Sequence, residues 1–127
     1  MYPILTLFDS PKPGCYALTA MDLARRKLGL LLSTSPEHLN LETAVNLSRV
    51  ALDRGVDLYV YLIDDGVRAM DRPEIRELAR RGAKLFVCAY GCQKRKIPLA
   101  DPETFTFCGL VVLTDLINGC DRFIALD

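Results

Sequence analysis

The sequence predicts an α/β fold, a parallel sheet with helices on both sides. Two observations carry that class. From Lys27 onward, short apolar runs alternate with segments of helical period, the pattern of βαβ units. The runs themselves are apolar on both faces, as strands are when helices cover both sides of a parallel sheet. The chain has 127 residues, 50% of them hydrophobic, which suits one compact domain.

The elements follow in order. KLGLLLST (27–34) is a continuous apolar run closed by Ser33, Thr34, Ser35 and Pro36, and reads as a buried strand and a loop. The segment 41–55 switches to helical period, with Leu41, Ala44, Val45, Ser48, Ala51 and Leu52 on one face. Asn40 is expected to cap its start, Glu42 suits its first turn, and Arg54 and Gly55 mark its end. VDLYVYLID (56–64), rich in β-branched and aromatic residues, is a second strand. DDGVRAM then reads as a loop with at most one helical turn, and its Asp-Asp-Gly as a turn with glycine at positive φ.

A short helix is expected over 73–81, with Ile75, Leu78 and Ala79 inward. Asp71 and Glu74 have capping-box spacing, Pro73 fits the first turn and Gly82 the stop. AKLFVCAY (83–90) is a third strand and TFTFC (104–108) a fourth. GLVVLTDLING (109–119) is apolar enough for a buried helix, and DRFIAL (121–126) is a fifth strand. Residues 1–26 stand outside this rhythm, as an N-terminal extension packed on a core of residues 27–127. Within the extension, 3–8 is compatible with a strand, SPKPG with a turn, and Tyr16–Arg26 with a helix. The extension either adds a strand at an edge or docks over an oligomer surface.

Composition narrows the function. Lys+Arg and Asp+Glu both number 16, so no global basic field exists for nucleic acid. A net charge near zero favours an oligomer. No run approaches the ~20 apolar residues that span a bilayer, and the N-terminus lacks a signal peptide's basic region. The expected location is cytoplasmic. The chain has 5 cysteines, an odd number that argues against a disulfide framework. Cys15, Cys108 and Cys120 read as buried small hydrophobes.

Several α/β chemistries are missing their spacings. STSPEHLN has no glycines for a dinucleotide site, and no glycine-rich turn ends in Lys-Ser/Thr. Asp64-Asp65 follows the second βαβ strand rather than the first, unlike a receiver domain. Lys94, not arginine, stands six positions after Cys88, unlike a phosphatase loop. Cys88 and Cys92 are separated by one residue more than a thioredoxin pair. The only histidine, His38, lies far from the cysteines and is most simply an exposed loop residue before a helix.

KLFVCAYGCQKRKIP (84–98) holds the densest chemistry. Cys88 sits at the carboxyl end of the third strand, the edge where open parallel sheets gather ligand and catalytic groups. A helix beginning near Gly91 would aim free N–H groups at a thiolate. That positive end, with Lys94, Arg95 and Lys96 nearby, would lower a thiol pKa and suit a nucleophile or an anionic persulfide. The Asp64–Gly66 carboxylates reach the same edge, where they hold the basic run, tune the thiol, or serve only as a turn. Spacing alone leaves open whether Cys88 reacts or merely packs.

These segments resemble the DsrE/DsrF family, which includes TusD-type sulfur-relay subunits. KLGLLLSTSP resembles the family's first strand and loop. AVNLSRVALDRGVDLYVYLIDDGV resembles its first helix and the strand ending in an acidic-Gly-Val turn. FVCAYGCQKRKI resembles the segment in which the sulfur-accepting cysteine ends a strand and a basic residue follows seven positions later; Cys88 and Arg95 match it. FCGLVVLTDLINGCDRFIAL resembles the terminal helix and strand. The resemblance covers residues 27–127. It implies a three-layer α/β/α sandwich with a five-stranded, mainly parallel sheet. It also implies a homotrimer, a homohexamer or a hetero-hexamer with sister subunits. Cys92 is extra to the pattern, and Lys96 stands where the family often has glycine, which leaves the form of the turn before Ile97 open.

The resulting expectation is a sulfurtransferase or sulfur carrier. Cys88 is the nucleophile and persulfide site, Cys92 a resolving thiol, and Lys94 and Arg95 stabilise the anionic sulfur, with Asp65 beside them. Sulfur donor and acceptor proteins are the expected partners. Neither a cofactor, a membrane nor direct contact with nucleic acid is called for. The alternative is a non-catalytic oligomeric binding or interaction module, one version being a small-molecule site lined by STSP and the DDG turn. A weaker third reading is a metal site on Cys88 and Cys92.

Overall fold

The alternating segments fold as β1 (Lys27–Leu32), α1 (Leu39–Asp53), β2 (Asp57–Leu62), a 3-10 helix (Asp64–Asp71), α2 (Pro73–Arg80), β3 (Lys84–Cys88), α3 (Ala89–Lys94), β4 (Phe105–Cys108), α4 (Leu110–Gly119) and β5 (Arg122–Leu126). The structure, a computed structural model, describes residues 23–127. The strand expected over 3–8, the SPKPG turn, Cys15 and most of the helix expected over Tyr16–Arg26 lie outside them. Within them, that helix is corrected: Leu23–Arg25 form a turn, and Arg25 has a φ of 66°. The Arg25 N–H bonds the Gly55 carbonyl at 2.8 Å, which fixes the entry into β1 beside the end of α1.

The strands form one 5-stranded sheet, ordered β4-β3-β2-β1-β5. Every pairing is parallel, from Lys27↔Asp57 at one end to Cys88↔Cys108 at the other. Right-handed crossovers place α1, α2 and α3 on one face. The connection from β4 to β5 runs back across the sheet, so α4 lies on the opposite face, where it touches β1 and β5.

Strand residues alternate between the faces. Leu30, Leu32, Leu58, Val60, Leu62, Leu85, Val87 and Phe105 share the α1 side and are all 2% exposed or less. Against them α1 buries Leu41, Ala44, Val45, Ser48 and Ala51, and α2 buries Ile75 and Leu78, as the helical period predicts. Leu52 and Ala79 are only half-buried.

Helix starts differ from expectation in their residues. His38, not Asn40, caps α1; its Nδ1 accepts the Asn40 N–H at 3.1 Å, and it is exposed. At α2 the cap is Arg72 with no side-chain bond, because Asp71 is still part of the 3-10 helix. Pro73 does open α2. The segment expected as a loop, DDGVRAM, lies wholly within a 3-10 helix of 8 residues that runs on to Asp71. Helix α4 is a further correction: it forms, but none of its residues is buried. Leu110, Val111 and Ile117 are 60%, 76% and 48% exposed.

Helices α1, α2 and α3 end in one way. In each, the residue after the cap is left-handed and two backbone bonds close the last turn. Gly55, Gly82 and Lys96 hold that position, with φ of 76°, 106° and 58°. The closing bonds from Val56 to Ala51, Ala83 to Leu78 and Ile97 to Cys92 span 3.0, 3.0 and 2.9 Å. The turn before Ile97 thus keeps its left-handed form without the glycine.

Candidate functional site

The candidate site lies at the carboxyl edge of the sheet, where β2, β3 and β4 end. After β2 the chain turns sharply because Asp64 is left-handed, with φ of 52°. Glycine is required at Gly66 for a reason other than positive φ. A Cβ there would stand 2.0 Å from the Leu32 carbonyl oxygen, so only glycine lets the 3-10 helix press onto the end of β1.

Cys88 is both the last residue of β3 and the N-cap of α3. The helix therefore begins at Ala89, before the Gly91 start expected, and Ala89 and Tyr90 leave the strand. The Cys88 Sγ accepts the Gly91 N–H at 3.4 Å. The sulfur thus sits among the N–H groups of a helix start that have no partner within the helix. Cys88 is 5% exposed. Gly91 lets α3 approach the 3-10 helix: a Cβ would stand 3.2 Å from a Val67 methyl.

The basic run divides. Arg95 donates from Nε to the Asp65 carboxylate at 3.0 Å and from Nη1 to the Gly91 carbonyl at 3.3 Å. Its side chain is 17% exposed, so this ion pair ties α3 to the start of the 3-10 helix. Lys94 and Lys96 are exposed. Cys92 is fully buried with its Sγ 4.0 Å from the Met70 Sδ, towards the 3-10 helix. Burial pushes the Cys92 thiol up, Cys88 adds to the rise, and Arg95 partly offsets it.

Two residues at this edge escaped sequence reasoning. Tyr61 is fully buried and donates its hydroxyl to the Gly109 carbonyl at 2.9 Å. Its phenol shares this edge with the Cys108 and Cys88 thiols, which act on it electrostatically. Burial, reinforced by those two thiols, pushes the Tyr61 hydroxyl well above the usual phenol range. Cys108 is the register partner of Cys88 across β3 and β4. Its Sγ lies 3.9 Å from the Val87 carbonyl, the peptide that leads into Cys88. Cys108 is half-buried; burial raises its thiol pKa, and the Tyr61 bond partly offsets that. A signal existed: KLFVC and TFTFC are neighbouring-type strand segments that both end in cysteine. Cys120 is also half-buried, on the same face of the sheet but beside Gly29, away from the carboxyl edge.

Among the described residues, no three of His, Cys, Asp and Glu are grouped as metal ligands would be. A hollow of about 430 Å³ is lined by residues including Pro36, His38, Arg49 and Arg72, and another of about 200 Å³ by Val67, Met70, Arg76 and Ile97 among others. Neither includes Cys88 or the Asp64–Gly66 turn.

The profile of the DsrE/DsrF-like family matches residues 26–126, and the chain belongs to that family. No protein of curated function matches the sequence. Among solved structures, the YchN protein from E. coli superposes with a TM-score of 0.68 at 15% identity, covering 80% of this chain and 99% of its own. A conserved protein of unknown function from Bacteroides thetaiotaomicron, BT1422, gives a TM-score of 0.68 at 16% identity, covering 79% of this chain and 94% of its own. At such identities the likeness concerns the fold. Among the described residues no helix is long and apolar enough to cross a membrane.

Proposed function

We propose that this chain is a cytoplasmic sulfur carrier that takes persulfide sulfur onto Cys88 and passes it to an acceptor protein. The observation that carries the reading is the double placement of Cys88, ending β3 while capping α3, with its sulfur on the Gly91 N–H. The Cys88 thiolate attacks the outer sulfur of a donor persulfide. A new S–S bond forms at Cys88, the donor's S–S bond breaks, and the donor leaves as a thiolate. The anionic persulfide then rests against the start of α3, with Lys94 and Arg95 adding positive charge and Asp65 holding Arg95 in place. The outward apolar side of α4 supports a homotrimer or homohexamer, since large exposed apolar patches mark association surfaces.

The test is persulfide loading of the whole protein by a small-molecule persulfide, read site by site by mass spectrometry. Cys88 should gain the mass of one sulfur, and Cys88→Ser should fall to background. Equal uptake in Cys88→Ser sinks the reading. A second reading, an oligomeric interaction module, draws on the near-complete burial of Cys88. It predicts slow alkylation of Cys88 and no sulfur uptake.

A further inference from the structure

Cys88 has two thiol neighbours, and they differ in where they point. Cys92 follows one helical turn later, fully buried, with its sulfur turned towards Met70. Cys108 stands directly across the ladder. Register partners on adjacent parallel strands project to the same face and lie about 4.8 Å apart at Cα. That separation falls inside the range of about 4.4–6.8 Å that a disulfide spans. The Cys108 sulfur already leans onto the Val87 carbonyl, beside the Cys88 backbone. Tyr61, held by its bond to Gly109, the residue after Cys108, is the titratable neighbour of both thiols. Cys108 is also half-open to solvent, which gives a small leaving group a way out.

We propose that Cys108 is the resolving thiol of this site, and that the Cys88–Cys108 pair converts bound sulfane sulfur into free sulfide. The inference rests on the reading that Cys88 accepts sulfur. The Cys108 thiolate attacks the inner sulfur of the Cys88 persulfide. The bond between that sulfur and the outer one breaks, and a Cys88–Cys108 disulfide forms. The outer sulfur leaves as hydrosulfide and takes up the proton that Cys108 gave away. The sulfane sulfur is reduced by two electrons and the two thiols are oxidised by two, so no outside oxidant enters. A dithiol reductant returns the pair to thiols. Sulfur on Cys88 thus has two exits: transfer to an acceptor, or release as sulfide when Cys108 reaches it first.

The experiment loads wild type, Cys108→Ser, Cys108→Ala and Cys92→Ser with a small-molecule persulfide and removes the excess. Released sulfide is followed over time, and alkylated, unreduced digests are mapped by mass spectrometry. Wild type and Cys92→Ser should release sulfide and yield a peptide linking Cys88 to Cys108. Both Cys108 variants should retain the Cys88 persulfide, with release slowed at least tenfold. A Cys88–Cys92 link, or equal release from the Cys108 variants, overturns the proposal while leaving sulfur acceptance standing. A Cys88 that takes up no sulfur overturns both.

Discussion

On the α1 side of the sheet every central strand residue is apolar and sealed. On the α4 side the same strands carry Leu31, Tyr59, Phe86 and Phe123, all partly exposed, beside the buried Tyr61 and Cys88. Tyr59 and Phe86 stack with centroids 6.4 Å apart, and the Lys84 Nζ sits 5.2 Å from the Tyr59 ring centre. The first face is built to resist change, because a gap there loses contacts on all sides. The second tolerates polar atoms and solvent. All the sulfur chemistry proposed for Cys88 and Cys108 falls on the second face, at its carboxyl edge, while the first holds the strand ends in place beneath it.

The same substitution on each face separates them most widely. Leu62→Ala on the sealed face should cost about 3 kcal/mol in denaturant unfolding, and Leu31→Ala on the other no more than about half of that. Equal losses would break the comparison.

Titration gives the next effect. Burial raises the Cys108 thiol, whose titratable neighbours are Tyr61 and Cys88, so little thiolate exists at neutral pH. Sulfide release should therefore climb roughly tenfold per pH unit through neutrality and continue rising beyond the ordinary thiol pKa of about 8.5. The sign for stability is opposite. Thiols raised in the folded state contribute stability below their unfolded pKa and lose it as pH rises through the folded one, so unfolding midpoints should fall in alkali. A release rate flat with pH would mean that another group attacks.

Smaller effects test the joints between the faces. Tyr61→Phe removes the bond to Gly109 and should cost about 1 kcal/mol, with slower Cys88–Cys108 closure as its specific signature. Asp65→Asn loosens Arg95 and should cost about 0.5 kcal/mol, less in high salt. A larger loss there would make the pair structural for α3 rather than a tether for charge.

The strands were readable because burial on both sides left continuous apolar runs. The buried positions of α1 were readable because Leu41 through Ala51 keep one period. Boundaries were set by single residues whose effect no period carries: Asp64 turns left-handed and ends β2, and Cys88 switches from strand to cap. Helix α4 reads as buried because GLVVLTDLING is apolar along its length, yet hydrophobicity does not say which molecule covers a surface. Cys88 was legible from its place at a strand end. Its neighbour Cys108 was not, because their meeting depends on the register of β3 against β4, which is fixed by packing rather than by distance along the chain.

Lys96 carries a consequence of its own. The ends of α1 and α2 rest on glycines, whereas α3 rests on a side chain held in a conformation that costs about 1–2 kcal/mol. The shortest helix is thus the one with its last turn under tension, and it bears the cysteine at its other end. Amide protons of Cys92 through Ile97 should exchange with solvent well before those closing α1, and Lys96→Gly should slow them. Early exchange there would place local opening of the chain beside the segment proposed to carry sulfur.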